Sequence, residues 1–181
     1  MEIDREELVR LTGEYGGEWG LNHVRRLLHL IDCIGVGQEY DADALWVAAY
    51  LHDWGGYAQW AQDGVDHAAR SAIVAEAFLT ERGYPAGFIA LVTECIAYHH
   101  APDPGRSIEA ILLCDADALD FLGAVGVLRI FSKQTKNLRG AYEVAKKRRS
   151  SLPEGLVLAA AKEAAVPRLA QMDTLLAAFE Q

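Results

Sequence analysis

Helix-favouring residues fill this chain from end to end, and that pattern limits it to an all-α fold. Ala, Leu, Glu and Arg dominate, and no run of alternating β-branched residues with hairpin turns is present. We expect about eight or nine helices that pack as a bundle. No internal repeat or low-complexity linker divides the 181 residues, so we predict a single domain over 1–181.

Capping and breaking residues predict where the helices begin and end. Asp4 caps a first helix that ends by Gly16 and Gly17, and a second helix runs over about 19–34. Asp41 or Asp43 caps a third helix over about 44–54, which two glycines close. Later helices are predicted over about 67–82, 85–100 and 107–121, with about three more broken near Gly140, Pro153 and, as an open alternative, Pro167.

Charge is distributed unevenly along the chain. The formal net charge of −9 argues against bulk attraction to a nucleic acid polymer or an anionic membrane. Residues 133–149 nevertheless hold seven basic side chains and one acidic side chain, which gives +6 locally and leaves −15 elsewhere. This basic stretch is interpreted either as a solvated helix face or as a rim that attracts an anionic substrate.

Several features favour a cytoplasmic protein. The N-terminus is too polar for a signal peptide, and no stretch of about 18 uncharged apolar residues could span a membrane. The three cysteines show no CxxC spacing, which suits a reducing compartment. The apolar helix over 156–179 is interpreted as core packing or as the contact of a homodimer.

The dipeptide His52-Asp53 ends an apolar helical run just before two glycines. Imidazole nitrogen and carboxylate oxygen are joint ligands of divalent cations, and neighbours about 100° apart on a helix can lean towards one ion. The partial negative charge at a helix C-terminus also favours a cation there. His99 and His100 repeat the design at the end of another helix.

Other titratable residues accompany this dipeptide. His23 lies on the preceding predicted helix, and Asp115, Asp117 and Asp120 lie inside a strongly apolar one. Burying these three carboxylates without partners would cost several kcal/mol each, so at least one should have a cation or a hydrogen-bond donor. Asp117 and Asp120 share a helix face.

Taken in order, His23, His52-Asp53 and Asp115 resemble the HD-domain superfamily of metal-dependent phosphohydrolases. The segment 115–129 is similar to the DADxLDxLGAxGxxR stretch of its small bacterial members. His23 to Arg26 resembles their HxxR motif, and 67–72 resembles the HxxxSA motif that follows HD. The resemblance covers about 19–131, which we take as the motif core, with the helices over 132–181 packing on it.

The resemblance implies a divalent metal bound by His23, His52, Asp53 and Asp115. A second metal would be bridged by Asp53 and would add His67 with His99 or His100. The metal would be Mn, Fe, Ni, Co, Zn or Mg, and we favour one ion over two because a histidine at these places can instead contact substrate.

Phosphoryl transfer also needs cationic hydrogen-bond donors for the phosphate and a carboxylate that acts as a general acid or base. Arg26 and Arg70 are the predicted phosphate contacts, and His67 and His99 are further substrate contacts. Asp120 is the predicted acid or base, with Asp66 and Asp63 as alternatives. The predicted catalytic residues are therefore Asp120, Arg26 and Asp53.

The remaining polar and aromatic candidates have mainly structural interpretations. Asp117 is interpreted as a partner of other polar groups, and His29 as an ordinary histidine that fits no motif. Trp54 and Trp60 could stack a nucleobase, although core packing is the commoner role of such residues.

The predicted function is hydrolysis of a small-molecule phosphate ester or anhydride, most plausibly of a nucleotide. One alternative is a phosphodiesterase that uses two metals. The other is a non-catalytic nucleotide- or metal-binding domain that signals to a partner.

Overall fold

A computed structural model describes residues 3–99 and 105–180. The described part of the chain contains eight α-helices and one 3₁₀ turn, and none of it is strand, which confirms the all-α prediction. The helices are α1 (Arg5–Ile34), α2 (Ala42–Leu51), α3 (His67–Glu81), α4 (Ala86–Ala97), α5 (Ile108–Asp120), α6 (Gly123–Lys133), α7 (Leu138–Gly155) and α8 (Ala159–Phe179).

The chain forms two compact units, one ending at Cys114 and the other beginning at Asp115. In the first unit, α3 packs on α4 and on the 3₁₀ turn Trp54–Gly56, and α2 packs on α1 and α4. In the second unit, α6, α7 and α8 pack on one another. The single domain over 1–181 stays a prediction.

Helix α1 is kinked at Gly17. This glycine has φ 61° and ψ −167°, a backbone conformation that L side chains rarely adopt, yet the chain is helical on both sides of it. The predicted break between two helices at Gly16 and Gly17 is therefore present as a kink within α1. A Cβ on Gly20 would lie 2.5 Å from the Tyr57 hydroxyl, so the bare glycine surface beside the kink accommodates the segment that follows the 3₁₀ turn.

Most helix starts follow the predicted caps. Asp41 accepts a hydrogen bond from Ala44 N at 2.9 Å, and Ser107 accepts one from Ala110 N at 3.2 Å. The predicted interruptions near Gly140 and Pro153 correspond to the breaks between α6 and α7 and between α7 and α8. The alternative interruption at Pro167 is wrong, because this residue lies inside α8.

In the described part of the chain, no helix combines the length and apolar character needed to cross a bilayer. None of the three cysteines, all of which lie in that part, forms a disulfide. Burial raises the pKa of the Cys95 thiol, which keeps it protonated inside the core.

Candidate functional site

The end of α2 fixes the position of His52. Seven residues of this ten-residue helix are buried, so the helix is held in the core of the first unit. His52 directly follows the helix as its C-cap, and its position is fixed in the same way. His52 is 1% exposed, and its Nδ1 lies 2.8 Å from the carbonyl of Ala49. Because a carbonyl only accepts, the ring proton lies on Nδ1 and Nε2 carries the lone pair of the neutral imidazole.

Three side chains meet at this point, and we call them the first triad: His23, His52 and Asp53. The two histidine Nε2 atoms are 3.2 Å apart, and Asp53 Oδ2 lies 3.7 Å from His23 Nε2 and 3.5 Å from His52 Nε2. Both histidines are almost fully buried, whereas the Asp53 side chain is 22% exposed. The triad therefore combines two buried histidines with a carboxylate that solvent can reach.

The donor set of the first triad fits a divalent cation. Two ligand atoms that are each about 2.1 Å from one ion lie about 3.0 to 3.4 Å apart at angles of about 90 to 109°. The Nε2–Nε2 distance of 3.2 Å falls in this range, and the carboxylate distances are slightly longer. Two imidazoles and one carboxylate also form a mixed nitrogen and oxygen site suited to Zn, Mn, Fe, Co or Ni.

A second triad shares Asp53 and adds His67 and His99. Candidate ligand atoms of these three residues lie within 4.8 Å of one another, as do those of the first triad. Asp53 turns Oδ1 towards His67, whose Nε2 lies 3.9 Å away, while Oδ2 faces the first triad. His99 Nδ1 contacts the carbonyl of Ile96 at 2.5 Å, the same arrangement that orients His52. The carboxylate thus lies between two sets of imidazoles.

Gly55 allows the helix that bears His67 to approach Asp53. A Cβ on Gly55 would lie 2.7 Å from the carbonyl oxygen of His67 and 2.6 Å from the carbonyl carbon of Arg70, both backbone atoms of α3. Gly55 N donates to Ser71 Oγ at 2.8 Å, which ties the 3₁₀ turn to the same helix. Sequence reasoning used this glycine only to end a helix and missed its role in packing. The GG pair after HD was the available signal.

Asp115 lies in the second unit, where its carboxylate accepts main-chain hydrogen bonds. Val157 N donates to Oδ1 at 3.0 Å, and Leu158 N donates to Oδ2 at 2.8 Å. These two residues immediately precede α8, so Asp115 satisfies N–H groups at the start of that helix. The metal-ligand role of Asp115 stays a prediction.

Asp120 has a buried cationic partner. Its carboxylate accepts a hydrogen bond from Arg129, which also lies over the Phe121 ring at 4.5 Å. Both members of this ion pair are buried. The expectation that at least one buried carboxylate of the segment has a cation or a donor is confirmed. The acid–base role of Asp120 stays a prediction.

Asp117 is also buried and lies in the electrostatic field of Arg148, whose pKa is lowered mainly by desolvation. This setting is compatible with the structural interpretation of Asp117. That Asp117 serves as a partner of other polar groups stays a prediction.

The predicted phosphate contacts have different local settings. Arg26 is half-buried on α1, one turn after His23, as an HxxR pattern on a helix requires. Arg70 is half-buried on α3, one turn after His67, and its Nε donates to the carbonyl of Trp60 at 2.8 Å. His67, at 38% exposure, is the most accessible imidazole of the two triads.

Several other candidates lie at the margins of the site. Asp66 caps α3 by accepting from Ala68 N at 3.0 Å, and Asp63 is exposed. His29 is exposed beside Cys33 and takes part in neither triad. His100, predicted as an alternative second-metal ligand, lies outside the described residues. In the basic stretch, Arg149 pairs with Asp173 at 2.6 Å.

Comparisons with known proteins bear on the class of this chain. The sequence pattern of the HD domain matches residues 20–122. A predicted HD superfamily hydrolase from an uncultured Thermotogales bacterium is 26% identical, with a TM-score of 0.69, and the match covers 97% of this chain and 90% of that one. None of the curated proteins gives a significant match.

Two further solved structures share the fold. Bacillus subtilis YpgQ in complex with ADP is 23% identical, with a TM-score of 0.74 and coverage of 97% and 92% of the two chains. Lin1889 from Listeria innocua is 18% identical, with a TM-score of 0.73 and coverage of 99% and 97%.

The match over 20–122 spans more than half of the chain, which therefore belongs to the HD domain family. This membership, the hydrolase neighbour and the two triads support a metal-dependent hydrolase.

Proposed function

We propose that this protein is a phosphohydrolase that cleaves a phosphate ester or anhydride of a small molecule, most plausibly a nucleotide. The first triad is the observation that carries the proposal, because it offers a mixed nitrogen and oxygen donor set whose atoms lie 3.2 to 3.7 Å apart. ADP bound to YpgQ, which has the same fold, favours a nucleotide as the substrate class.

The first triad would hold the metal, and one ion is the preferred occupancy. A divalent ion at such a site activates water for attack on phosphorus and polarises a phosphoryl oxygen. The carbonyl of Ala49 keeps the His52 ring in one orientation, so that it need not reorganise during the reaction.

The charged side chains near the triads would act on the phosphate itself. Arg26 and Arg70 bind phosphoryl oxygens, since a guanidinium offers paired N–H donors to an anion. His67 and His99 contact the substrate where the second triad holds no ion. Asp120 is proposed to move the proton of the water or the leaving group, and Arg129 keeps its carboxylate in place.

A second candidate function is a phosphodiesterase with two metals. The position of Asp53 favours it, because the two oxygens of this carboxylate face different triads. Metal titration separates the two candidates. One ion per chain supports the first function, whereas two ions per chain, the second lost in His67→Ala, support the phosphodiesterase.

The proposed function is tested with His52→Ala and a matched variant, His29→Ala, which alters a histidine outside both triads. Protein purified without chelator is analysed for metal and assayed on nucleoside phosphates, cyclic nucleotides and sugar phosphates. We expect metal-dependent turnover that His52→Ala abolishes and His29→Ala preserves. Metal binding without turnover on any compound would favour the non-catalytic binding domain.

A further inference from the structure

A cavity of about 350 Å³ lies within the first unit, between the N-terminal half of α1 and the outer face of α3. Four aromatic side chains and two arginines contribute to its lining. They are Tyr15, Trp54, Trp60, Phe78, Arg70 and Arg82. Its volume is at the small end of the range for ligand pockets, about 300 to 1,000 Å³, and suits one flat ring system.

The aromatic side chains form a rigid wall. Tyr15 meets Trp54 edge to face at 5.0 Å between ring centroids, and Trp54 meets Phe78 in the same way at 5.2 Å. Trp54 is anchored by its Nε1, which donates to Thr12 Oγ1 at 3.0 Å. Because these rings are already fixed by mutual contacts, a planar ligand would lose little side-chain entropy from the wall on binding.

Arg70 supplies a cation to this cavity. Its Nε donates to the carbonyl of Trp60, and within the described chain no acceptor engages its two terminal nitrogens. Arg82 differs, because Glu7 accepts from its Nε at 2.9 Å and from its Nη2 at 2.8 Å. The carboxylate of Glu7 therefore neutralises one cavity arginine, and the other remains able to bind an anion.

Trp60 does not add a donor to the cavity. Its Nε1 has no hydrogen-bond partner within the described residues, but this atom is buried and closed to a water-sized molecule. Arg70 is therefore the lining residue whose N–H donors remain available to a ligand.

We propose that this cavity binds the planar aromatic ring of an anionic ligand, whose charged group contacts Arg70. A phosphorylated heteroaromatic compound, such as a nucleoside monophosphate, has this chemistry. The ligand has two sources: the substrate of the proposed hydrolase, because Arg70 lies one turn after His67, or a separate effector. The first source rests on the proposed function, whereas the cavity and the class of its ligand do not.

The test measures ligand binding by the full-length chain in EDTA, where metal-dependent turnover cannot occur. Isothermal titration calorimetry uses purine and pyrimidine nucleoside 5′-monophosphates, with ribose 5-phosphate and the nucleosides for comparison. At least one monophosphate should bind, about tenfold or more tightly than both its nucleoside and ribose 5-phosphate. Equal binding of ribose 5-phosphate, or no monophosphate binding, would overturn the proposal.

A pair of variants on α3 locates the binding site. Ala77 lines the cavity and is exposed, whereas the neighbouring Glu76 is exposed and outside it. Ala77→Phe should fill the cavity and weaken monophosphate binding about tenfold or more, while Glu76→Phe should leave binding unchanged. Unchanged binding in Ala77→Phe overturns the proposal, and the thermal unfolding of both variants checks that each is folded.

Steady-state kinetics with metal then distinguishes the two sources. If the cavity holds the ring of the substrate, Ala77→Phe raises KM for the nucleotide and leaves KM for a sugar phosphate unchanged. If the ligand is an effector, the same variant weakens binding in EDTA without raising KM. If the cavity binds the monophosphate but the protein shows no turnover, the proposed function is refuted and the proposed ligand site is supported.

Discussion

Carboxylates with close side-chain partners occur in both compact units, but those partners differ. In the first unit, Asp53 faces His23, His52 and His67, whose imidazole nitrogens are potential metal ligands. In the second unit, Asp120 pairs with the guanidinium of Arg129. A metal cation can complete the first arrangement, whereas the Arg129 side chain already compensates the charge of Asp120.

This difference teaches that a buried acidic residue is not by itself a metal site. The identity of its neighbours decides whether the carboxylate helps to bind an ion or to hold helices together. The predictions below test that distinction, beginning with the largest expected effect.

Asp53→Ala should remove metal binding from both triads, because Asp53 belongs to both. We expect turnover to fall at least about a thousandfold, since the site loses its charged ligand. Metal analysis and turnover are measured beside Asp32→Ala, which removes an exposed carboxylate from α1. Retention of stoichiometric metal by Asp53→Ala would contradict the assignment of the triads.

Asp120→Asn should destabilise the protein and leave the first triad able to bind metal. Arg129 would remain buried opposite a neutral amide, so we expect a loss of about 2 to 4 kcal/mol in the free energy of unfolding. Urea denaturation measures it. Asp173→Asn, which breaks the exposed pair with Arg149, should have a much smaller effect. Similar losses in both variants would argue against a special role for burial.

Gly55→Ala should be far more harmful than Gly56→Ala. A Cβ at Gly55 meets the α3 backbone, which cannot move without displacing His67, and we expect a loss of about 2 kcal/mol or more. At Gly56 the nearest atom, His67 Cβ, is 3.6 Å away, an ordinary contact, so the change should stay within about 0.5 kcal/mol. Thermal unfolding of the two variants checks this, and equal stabilities would contradict the packing argument.

The exposed pair of Glu7 and Arg82 should give the smallest effect. The hydrogen bond from Arg82 holds the pKa of Glu7 below its ordinary value. The pair therefore stabilises the fold above the unfolded-state pKa of Glu7, and this contribution disappears as pH falls through the lower folded-state pKa. Glu7→Gln should cost less than about 1 kcal/mol at neutral pH.

In acid, Glu7→Gln and the unaltered protein should approach the same stability, which urea denaturation at two pH values measures. A difference that grows in acid would contradict the direction of the pKa shift.

Much of the architecture could be predicted from local sequence. Asp41 and Ser107 mark helix starts because a short acceptor side chain satisfies the first N–H groups whatever the rest of the chain does. Pro167 misled the prediction, since a helix held by tertiary packing can tolerate the hydrogen bond that proline removes. The break predicted from Gly16 and Gly17 is present as the kink in α1, because glycine adopts the positive φ that the kink requires.

The candidate site was predicted in part. The grouping of His23 with His52 and Asp53 followed from motif order, and the structure brings these residues together. The resemblance also implied that Asp53 would bridge to His67 and His99, and candidate ligand atoms of these three residues lie within 4.8 Å of one another. The close approach of α3 to the 3₁₀ turn, which brings His67 there, could not be predicted because it depends on tertiary packing. The cavity beside Arg70 was also missed, because its walls come from segments far apart in the sequence.

The sequence by itself determined the all-α class, most helix starts and the residue types of the candidate site, because caps, periodicity and side-chain chemistry are local properties. Only the tertiary structure decided which carboxylate faces histidines and which faces arginine. It also decided that Glu7 pairs with Arg82, whereas within the described chain the terminal nitrogens of Arg70 meet no acceptor. These partnerships depend on distances of a few ångströms between packed helices, which no local pattern specifies.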